Sequence, residues 1–324
     1  MATALATLMA LPAAPLPMAR TPVDRLVRLE TALGRSCPRL FVKRDDLLPF
    51  GLGGNKVRKM QLLAADAERA GADTLITCGA VHSNHARVTA AVGAVLGWRV
   101  ILVLSGAPPD RPVGNFALCR LFGAEVRPVP TNAGRDAAMA AAADEVRAEG
   151  GRPFVIPVGA SVPTGAMAIA RAVAELGTAG VRPDVIVHAS SSGGTQAGLI
   201  AGCALLGLPT RVLGVSADEP EAALGRRISG LLDGMASALG ARPATVGADR
   251  AIAIDDTQVG TGYGIPTAAS TDARTFVARH EGIVLDPVYT AKAMAGLLAH
   301  IRAGAFSADQ TVLFWHTGGL HGEW

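Results

Sequence analysis

Short apolar runs alternate with longer amphipathic ones along almost the whole chain. Runs at 40–44, 74–78, 100–104, 125–128, 154–156, 185–187, 212–215 and 312–315 read as strands. Helical spacing predicts helices at 26–33, from Lys56 through Met60, Leu63, Ala67 and Ala70, and at 86–96, 115–121 and 136–149. Further helices are predicted ending near Leu176 and at 196–206, 220–239, 271–279 and 290–301. Several strands are apolar without alternation, as in sheets covered on both faces. Strands separated by helices of roughly 10–15 residues mean parallel α/β architecture. The conspicuous loops form two groups, 50–85 on one hand and 159–195 with 260–319 on the other. That grouping, with the chain length, predicts two open, mostly parallel twisted sheets flanked by helices. Ligands of such sheets bind at the carboxyl ends of the strands, here in a cleft between the two domains.

Composition narrows the partners. Half of the 324 residues are hydrophobic, 18% are charged and 38 are glycine, a globular and loop-rich balance. The net charge is only +3, basic residues are scattered, and aromatic residues make up 4%. Neither nucleic acid nor an acidic membrane surface is implied as a partner. Cys37, Cys78, Cys119 and Cys203 form no CxxC pair and read as buried reduced thiols of a cytoplasmic protein. The apolar N-terminus has no basic residue before Arg20 and carries prolines at 12, 15 and 17, unlike a signal peptide. It reads as an arm packing on a domain or a subunit. No apolar run has the ~20 residues of a membrane crossing. The seven histidines show no metal-ligand spacing.

The candidate chemistry centres on Gly53-Gly54-Asn55-Lys56-Val57-Arg58-Lys59. Glycines let the backbone turn, and the amphipathic run that follows puts Lys56 at or near a helix N-terminus. The helix dipole and the neighbouring Arg58 and Lys59 would favour the neutral amine, the form a Schiff-base nucleophile needs. A second signal is Ser190-Ser191-Ser192-Gly193-Gly194-Thr195, between an apolar strand and a helix. Backbone amides and hydroxyls there make a phosphate site, without the lysine of a Walker A loop or a GxGxxG turn. Ser83-Asn84-His85 occupies an equivalent strand–helix turn and could bind an anion, with His85 alternatively a cap. Both tyrosines, Tyr263 and Tyr289, follow Gly- or Pro-containing segments, which makes hydroxyl chemistry a candidate role. Asp45 and Asp46 read as partners of Lys43 and Arg44. There is no Gly-x-Ser-x-Gly elbow. An activated lysine with a serine–glycine phosphate cup suggests pyridoxal 5′-phosphate (PLP).

Six segments then carry a resemblance in order and spacing: Gly53-Gly54-Asn55-Lys56 with Lys59, Ser83-Asn84-His85, 192–198, Gly262-Tyr263-Gly264, 286–290 and His316-Thr317-Gly318-Gly319. From about Thr21 to Gly319 the chain resembles the D-cysteine desulfhydrase/1-aminocyclopropane-1-carboxylate (ACC) deaminase family, PLP enzymes of fold type II. The resemblance implies a PLP-binding Lys56 that shuttles the Cα proton, and Asn84 bonded to the cofactor 3′-oxygen. It further implies a substrate carboxylate at Ser83, Asn84 and His85. Phosphate contacts fall to Lys59, Ser192, Gly193, Gly194 and Thr195. Tyr263 and Tyr289 match the two active-site tyrosines, and Thr317 the residue near the pyridine nitrogen. Ser161 and Thr290 fall at substrate-side positions.

Thr290 and Thr317 replace the Glu and Leu typical of ACC deaminases, which resembles the D-cysteine desulfhydrase branch. A threonine near the pyridine nitrogen leaves a weaker electron sink, suited to elimination of a good leaving group. His82, Val88 and Val162 depart from the family pattern, and His82 would favour an anionic side chain. The expected reaction is therefore α,β-elimination of a β-substituted amino acid. D-cysteine, giving pyruvate, ammonia and hydrogen sulfide, is the first expectation. L-cysteate sulfo-lyase, a specialised-metabolism carbon–sulfur lyase, ACC deaminase and a non-catalytic PLP-binding relative are the alternatives. The resemblance also implies a homodimer, with a large PLP-binding domain of 1–49 plus 163–324 and a small α/β domain of 50–162.

Overall fold

The alternation of strands and helices is realised in a computed structural model of the chain, which describes residues 1–319. Two sheets result. The smaller is wholly parallel, with strand order β5 (Glu125–Val129), β4 (Arg99–Ser105), β3 (Thr74–Ala80) and β6 (Pro153–Ile156). The larger has the order β1 (Val23–Arg25), β2 (Arg39–Arg44), β10 (Thr311–His316), β7 (Val185–Ser190), β8 (Arg211–Ser216) and β9 (Ala253–Asp255). Only the β1–β2 pair is antiparallel.

Helices cover both faces of both sheets, which explains the unbroken apolar strands. β7 and β10 are buried along their whole length. One core joins the large sheet to α7 (Pro163–Thr178), α8 (Gly194–Leu205) and α9 (Glu221–Ala238). Its other face packs on α2 (Val27–Leu33), α10 (Ala268–Glu281) and α11 (Thr290–Arg302). The small sheet lies between α3 (Asn55–Arg69), α4 (Asn84–Leu96) and α5 (Gly114–Leu121) on one side and α6 (Arg135–Ala148) on the other.

Three elements lay outside the hydrophobic pattern. β1 and β9, three residues each, are too short for periodicity to register. The N-terminal arm contains a helix, α1 (Ala2–Ala10), which ends before the prolines and buries Ala4 and Leu8 against α7 and α8 of its own chain. Cys78, Cys119 and Cys203 are buried and Cys37 is partly exposed; all four are free thiols.

A buried ionic network fixes α3. Arg58, on the face of α3 away from the cleft, binds both oxygens of Asp45 (2.7 and 2.9 Å) and both of Glu175 on α7 (2.6 and 3.0 Å). Asp45 also accepts from Thr21 Oγ1 at 2.9 Å and from Trp315 Nε1 at 2.8 Å. Lys43 completes the cluster through Glu175 and the Thr21 carbonyl. The sequence pairing is thus half correct. Asp46 does hold Arg44, at 2.7 Å, but Asp45 reaches across to Arg58, because β2 ends under the first turn of α3.

Burial alone would push the Asp45 and Glu175 carboxyls up, but Arg58 outweighs it and both lie below their ordinary values. Removing one member of such a cluster strands a buried charge, at a cost of about 3–5 kcal/mol. Arg58→Met is expected to lose that much in urea unfolding at pH 7, and a loss below ~1 kcal/mol would contradict the assignment. Depressed carboxylate pKa values stabilise above the unfolded-state range and are lost as pH falls through and below it. The gap between wild type and variant should therefore narrow in acid.

Candidate active site

The carboxyl ends of β3, β7, β8 and β10 open onto one cleft, lined among others by Asn55, Lys56, Ser83, Asn84, His85, Ser192, Gly193, Thr195, Tyr263, Tyr289 and Thr317. Gly53 (φ +74°) and Gly54 (φ +96°) bring the chain from β2 into α3. A Cβ on Gly53 would lie 2.3 Å from the Asp46 carbonyl, and one on Gly54 would lie 3.1 Å from the Thr317 carbonyl. Only glycine permits this approach. It lets Asn55 N donate to Thr317 O at 2.9 Å and sets Lys56 in the first turn of α3.

Lys56 Nζ has one weak contact, to Asn55 Oδ1 at 3.4 Å. Its pKa is lowered to about 8 by burial. This corrects the cause expected from sequence. Arg58 turns away into its carboxylate cluster, and desolvation, not neighbouring charge, favours the neutral amine. Asn55 also donates to Thr195 Oγ1 at 2.8 Å, joining the lysine turn to the serine–glycine turn.

That turn runs from β7 into α8 through Gly193, in the left-handed region at φ +81°. Behind it lies Lys59, fully buried, with neutral acceptors only: Gly159 O at 3.1 Å and Ser161 Oγ at 3.2 Å. Burial, then the charge of Lys56, pushes the Lys59 pKa well down. Ser161 Oγ shares a hydrogen bond with Ser192 Oγ at 2.7 Å. Ser161, expected on the substrate side, therefore stands behind the serine–glycine cup beside Lys59.

Across the cleft, Ser83 caps α4, its Oγ accepting from Ala86 N at 3.2 Å. Asn84 Oδ1 accepts from Asn115 Nδ2 at 2.8 Å, which orients its amide. His85 is buried, bonded through Nε2 to Thr77 Oγ1 at 2.8 Å, and held neutral by burial and then by the two lysines. The two tyrosines meet hydroxyl to hydroxyl at 2.6 Å. Burial raises both phenols, Tyr289 well above its ordinary value, so each keeps its proton at neutral pH. Two protonated phenols therefore line the cleft. Thr290 stands apart. Its hydroxyl donates to Asp286 Oδ1 at 2.6 Å, and Asp286 caps the start of α11 through the amides of 288–290.

Several lining residues carried no recognised motif. Asp218 follows β8, accepts from Ser191 Oγ at 2.9 Å and leaves Oδ1 buried without a partner. Its position at the carboxyl end of an apolar strand was the available signal. Arg135 and Asn132 enter from the start of α6, a segment that reads in sequence as an ordinary surface helix. Lys292, on α11, donates to the carbonyls of Ala217, Val259 and Gly262 at 2.8–3.1 Å and so ties the Tyr263 loop to the turn after β8. No group of three or more His, Cys, Asp or Glu among the described residues could hold a metal.

The donor set fits a phosphate-bearing aldehyde. A fully buried ammonium without a carboxylate is costly, and a phosphate in the adjoining cup supplies the missing anion. A Cβ on Gly194 would lie 2.8 Å from Lys59 Nζ and 2.7 Å from Ser161 Oγ, so the cup leaves its space clear. Such an α/β fold, with a desolvated lysine facing a phosphate cup, defines a PLP enzyme of fold type II. Residues 15–318 match the pyridoxal-phosphate dependent enzyme family, and the chain belongs to it.

A D-cysteine desulfhydrase from Salmonella choleraesuis is 40% identical over 309 residues, 93% of this chain and 92% of that protein. The crystal structure of an ACC deaminase homologue superposes with a TM-score of 0.91 at 35% identity, covering 100% of this chain and 97% of the other. Threonine deaminase isoform 2 of Solanum lycopersicum, at 16% identity and a TM-score of 0.69, shares the fold over 98% of this chain and 88% of its own.

Two outcomes follow from the geometry. Cofactor-free protein should capture PLP faster as pH rises, half-maximally near the Lys56 value of about 8, measured by stopped-flow absorbance. A midpoint near that of an ordinary lysine would contradict the role of burial. Gly194→Ala should weaken PLP binding by roughly tenfold or more in equilibrium titration, because the methyl must displace Lys59 or Ser161.

Proposed function

We propose that this enzyme eliminates the β-substituent of a small amino acid, converting D-cysteine to pyruvate, ammonia and hydrogen sulfide. One observation carries the reading: Lys56, the Ser83–Asn84–His85 turn and the Tyr263–Tyr289 pair line a single cleft beside the serine–glycine cup. The 40% identity to a D-cysteine desulfhydrase supports the same chemistry.

Lys56 would hold PLP through its amine, with Lys59, Ser192, Gly193, Gly194 and Thr195 around the phosphate, Asn84 at the ring oxygen and Thr317 near the ring nitrogen. PLP, when bound, supplies the electron sink that makes a Cα proton acidic. The start of α4, with Ser83 and His85, receives the substrate carboxylate at the positive end of the helix dipole. Lys56, released by the substrate amine, takes the Cα proton. Its lowered pKa leaves a useful fraction neutral near pH 7–8. The phenols deliver a proton to the departing sulfur, with Tyr289 passing it and Tyr263 replacing it from the more exposed side. Addition of water to the remaining three-carbon enamine gives pyruvate and ammonia.

The reading includes a homodimer, a large domain of 1–49 with 163–324 and a small domain of 50–162. It also includes a cytoplasmic site of action, to which four free thiols are suited. Among the described residues no helix is long and apolar enough to cross a membrane.

Purified holoenzyme given D-cysteine should release pyruvate and sulfide in equal amounts. Lys56→Ala should lose both the visible cofactor band and more than 99% of turnover, on the order of the loss from removing a covalent catalyst. Full turnover by that variant would overturn the mechanism. Tyr289→Phe should lower kcat by roughly 10²–10⁴ with a smaller change in KM, as expected for loss of an acid catalyst.

A further inference from the structure

After the phosphate and the substrate carboxylate have been given their partners, one cation of the cleft remains unassigned among the described residues. Arg135, the first residue of α6, lines the cleft together with Lys56, Ser83, Asn84 and Tyr263. Among the described residues no carboxylate lies within ion-pairing distance of it. Its guanidinium donates to Ser105 Oγ at 2.6 Å, and Nε is buried with no hydrogen-bond partner. Ser105 in turn donates to Asn132 Oδ1 at 2.7 Å, so the guanidinium is held by a chain of neutral groups. Two surface arginines behave differently. Arg99 and Arg127, also on the small domain, are each bound by two carboxylates.

Among the described residues the cleft has one lining carboxylate, Asp218, and it is engaged by Ser191 on the side of the serine–glycine cup. Beyond the burial that raises it, the Tyr263 phenol feels the charge of Asp218 and then that of Arg135, which opposes it, and in the elimination reading that phenol belongs to the pair that faces the leaving group. A guanidinium beside the proton donor lies where negative charge must gather when a β-substituent departs. It also lies where a β-substituent that is already anionic would need a partner. Arginine offers a planar fork of donors that matches an oxyanion of the carboxylate or sulfonate type.

Resting on the elimination reading above, we propose that Arg135 is a specificity-determining residue that binds the substrate's β-substituent as an anion. The preferred class is then a 2-amino acid whose β-carbon carries a negatively charged oxyanion group or a thiolate, over one with a neutral halide. Ser105 and Asn132 are positioning residues for that guanidinium. No bond is made or broken by Arg135, which acts through charge and hydrogen bonds alone.

The test is binding to holoenzyme, read by stopped flow from the absorbance shift of the bound cofactor before product forms, with each enantiomer of cysteate as the anionic probe and of β-chloroalanine as the neutral one. The wild type, Arg135→Gln and Arg135→Lys are compared, with thermal melts to establish that each variant is folded. Arg135→Gln is expected to lower the preference for cysteate over β-chloroalanine by roughly 10- to 100-fold, the range for a lost hydrogen bond to a charged group. Arg135→Lys should restore part of it. An equal weakening of both ligands would mean that Arg135 binds the common carboxylate, and would overturn the proposal. So would an unchanged preference. Pyruvate release from β-chloroalanine is measured separately. Its absence in the wild type would overturn the elimination reading while the binding preference still decides the role of Arg135.

Discussion

Lys56 is held in place by charges that lie on the other side of its helix. Arg58 follows Lys56 by two residues, so the two side chains leave the first turn of α3 in different directions. Arg58 goes into a buried cluster with Asp45, Glu175 and Lys43, and Trp315 and Thr21 complete the hydrogen bonds. The cluster draws on β2, β10, α3 and α7, and so ties the lysine helix to the large sheet. Charges out of water persist only when their partners are all present. That requirement fixes the rotation of α3, and with it the direction in which Lys56 points.

The cleft side of α3 follows the opposite rule. Lys56 and Lys59 are desolvated without any carboxylate, and both amines are shifted down because burial is not offset. Within four residues the helix thus carries Arg58, saturated with anions and structural, and two lysines short of them. The deficit is what makes the site chemical. It leaves room for a phosphate at the serine–glycine cup and gives Lys56 a neutral fraction near physiological pH. The phenols opposite are shifted up by burial, which keeps them as donors. Burial thus shifts amine and phenol in opposite directions, the division that the proposed elimination needs of its base and its acid.

The strands and most helices were legible because a doubly covered parallel sheet needs unbroken apolar strands, and those runs stand out. The glycine- and hydroxyl-bearing turns of the cleft were legible for a different reason. Glycine at 53, 54 and 193 and the hydroxyls at 83, 192 and 195 answer to local backbone demands, which are written in consecutive residues. β1 and β9 were not legible, because three residues carry no period. Arg58 looked like a neighbouring charge of Lys56. Helical spacing turns Arg58 away from Lys56, but nothing in a linear reading names Glu175, 117 positions away, as its partner. Thr290 looked like a substrate residue, yet its hydroxyl serves the cap of α11.

The sequence by itself determined the α/β class and the family, and it named Lys56, the serine–glycine turn and the two tyrosines as candidates. These follow from patterns and motifs contained within single strand–turn–helix units. Only the tertiary structure decided which groups share the cleft and what they see there. It showed that Lys56 is activated by desolvation, that Ser161 stands behind the cup beside Lys59, and that Asp218 and Arg135 come in from separate segments. The physical reason is that solvation and the distance between charges depend on how segments distant in sequence pack around the cleft, and no local stretch of chain encodes that alone.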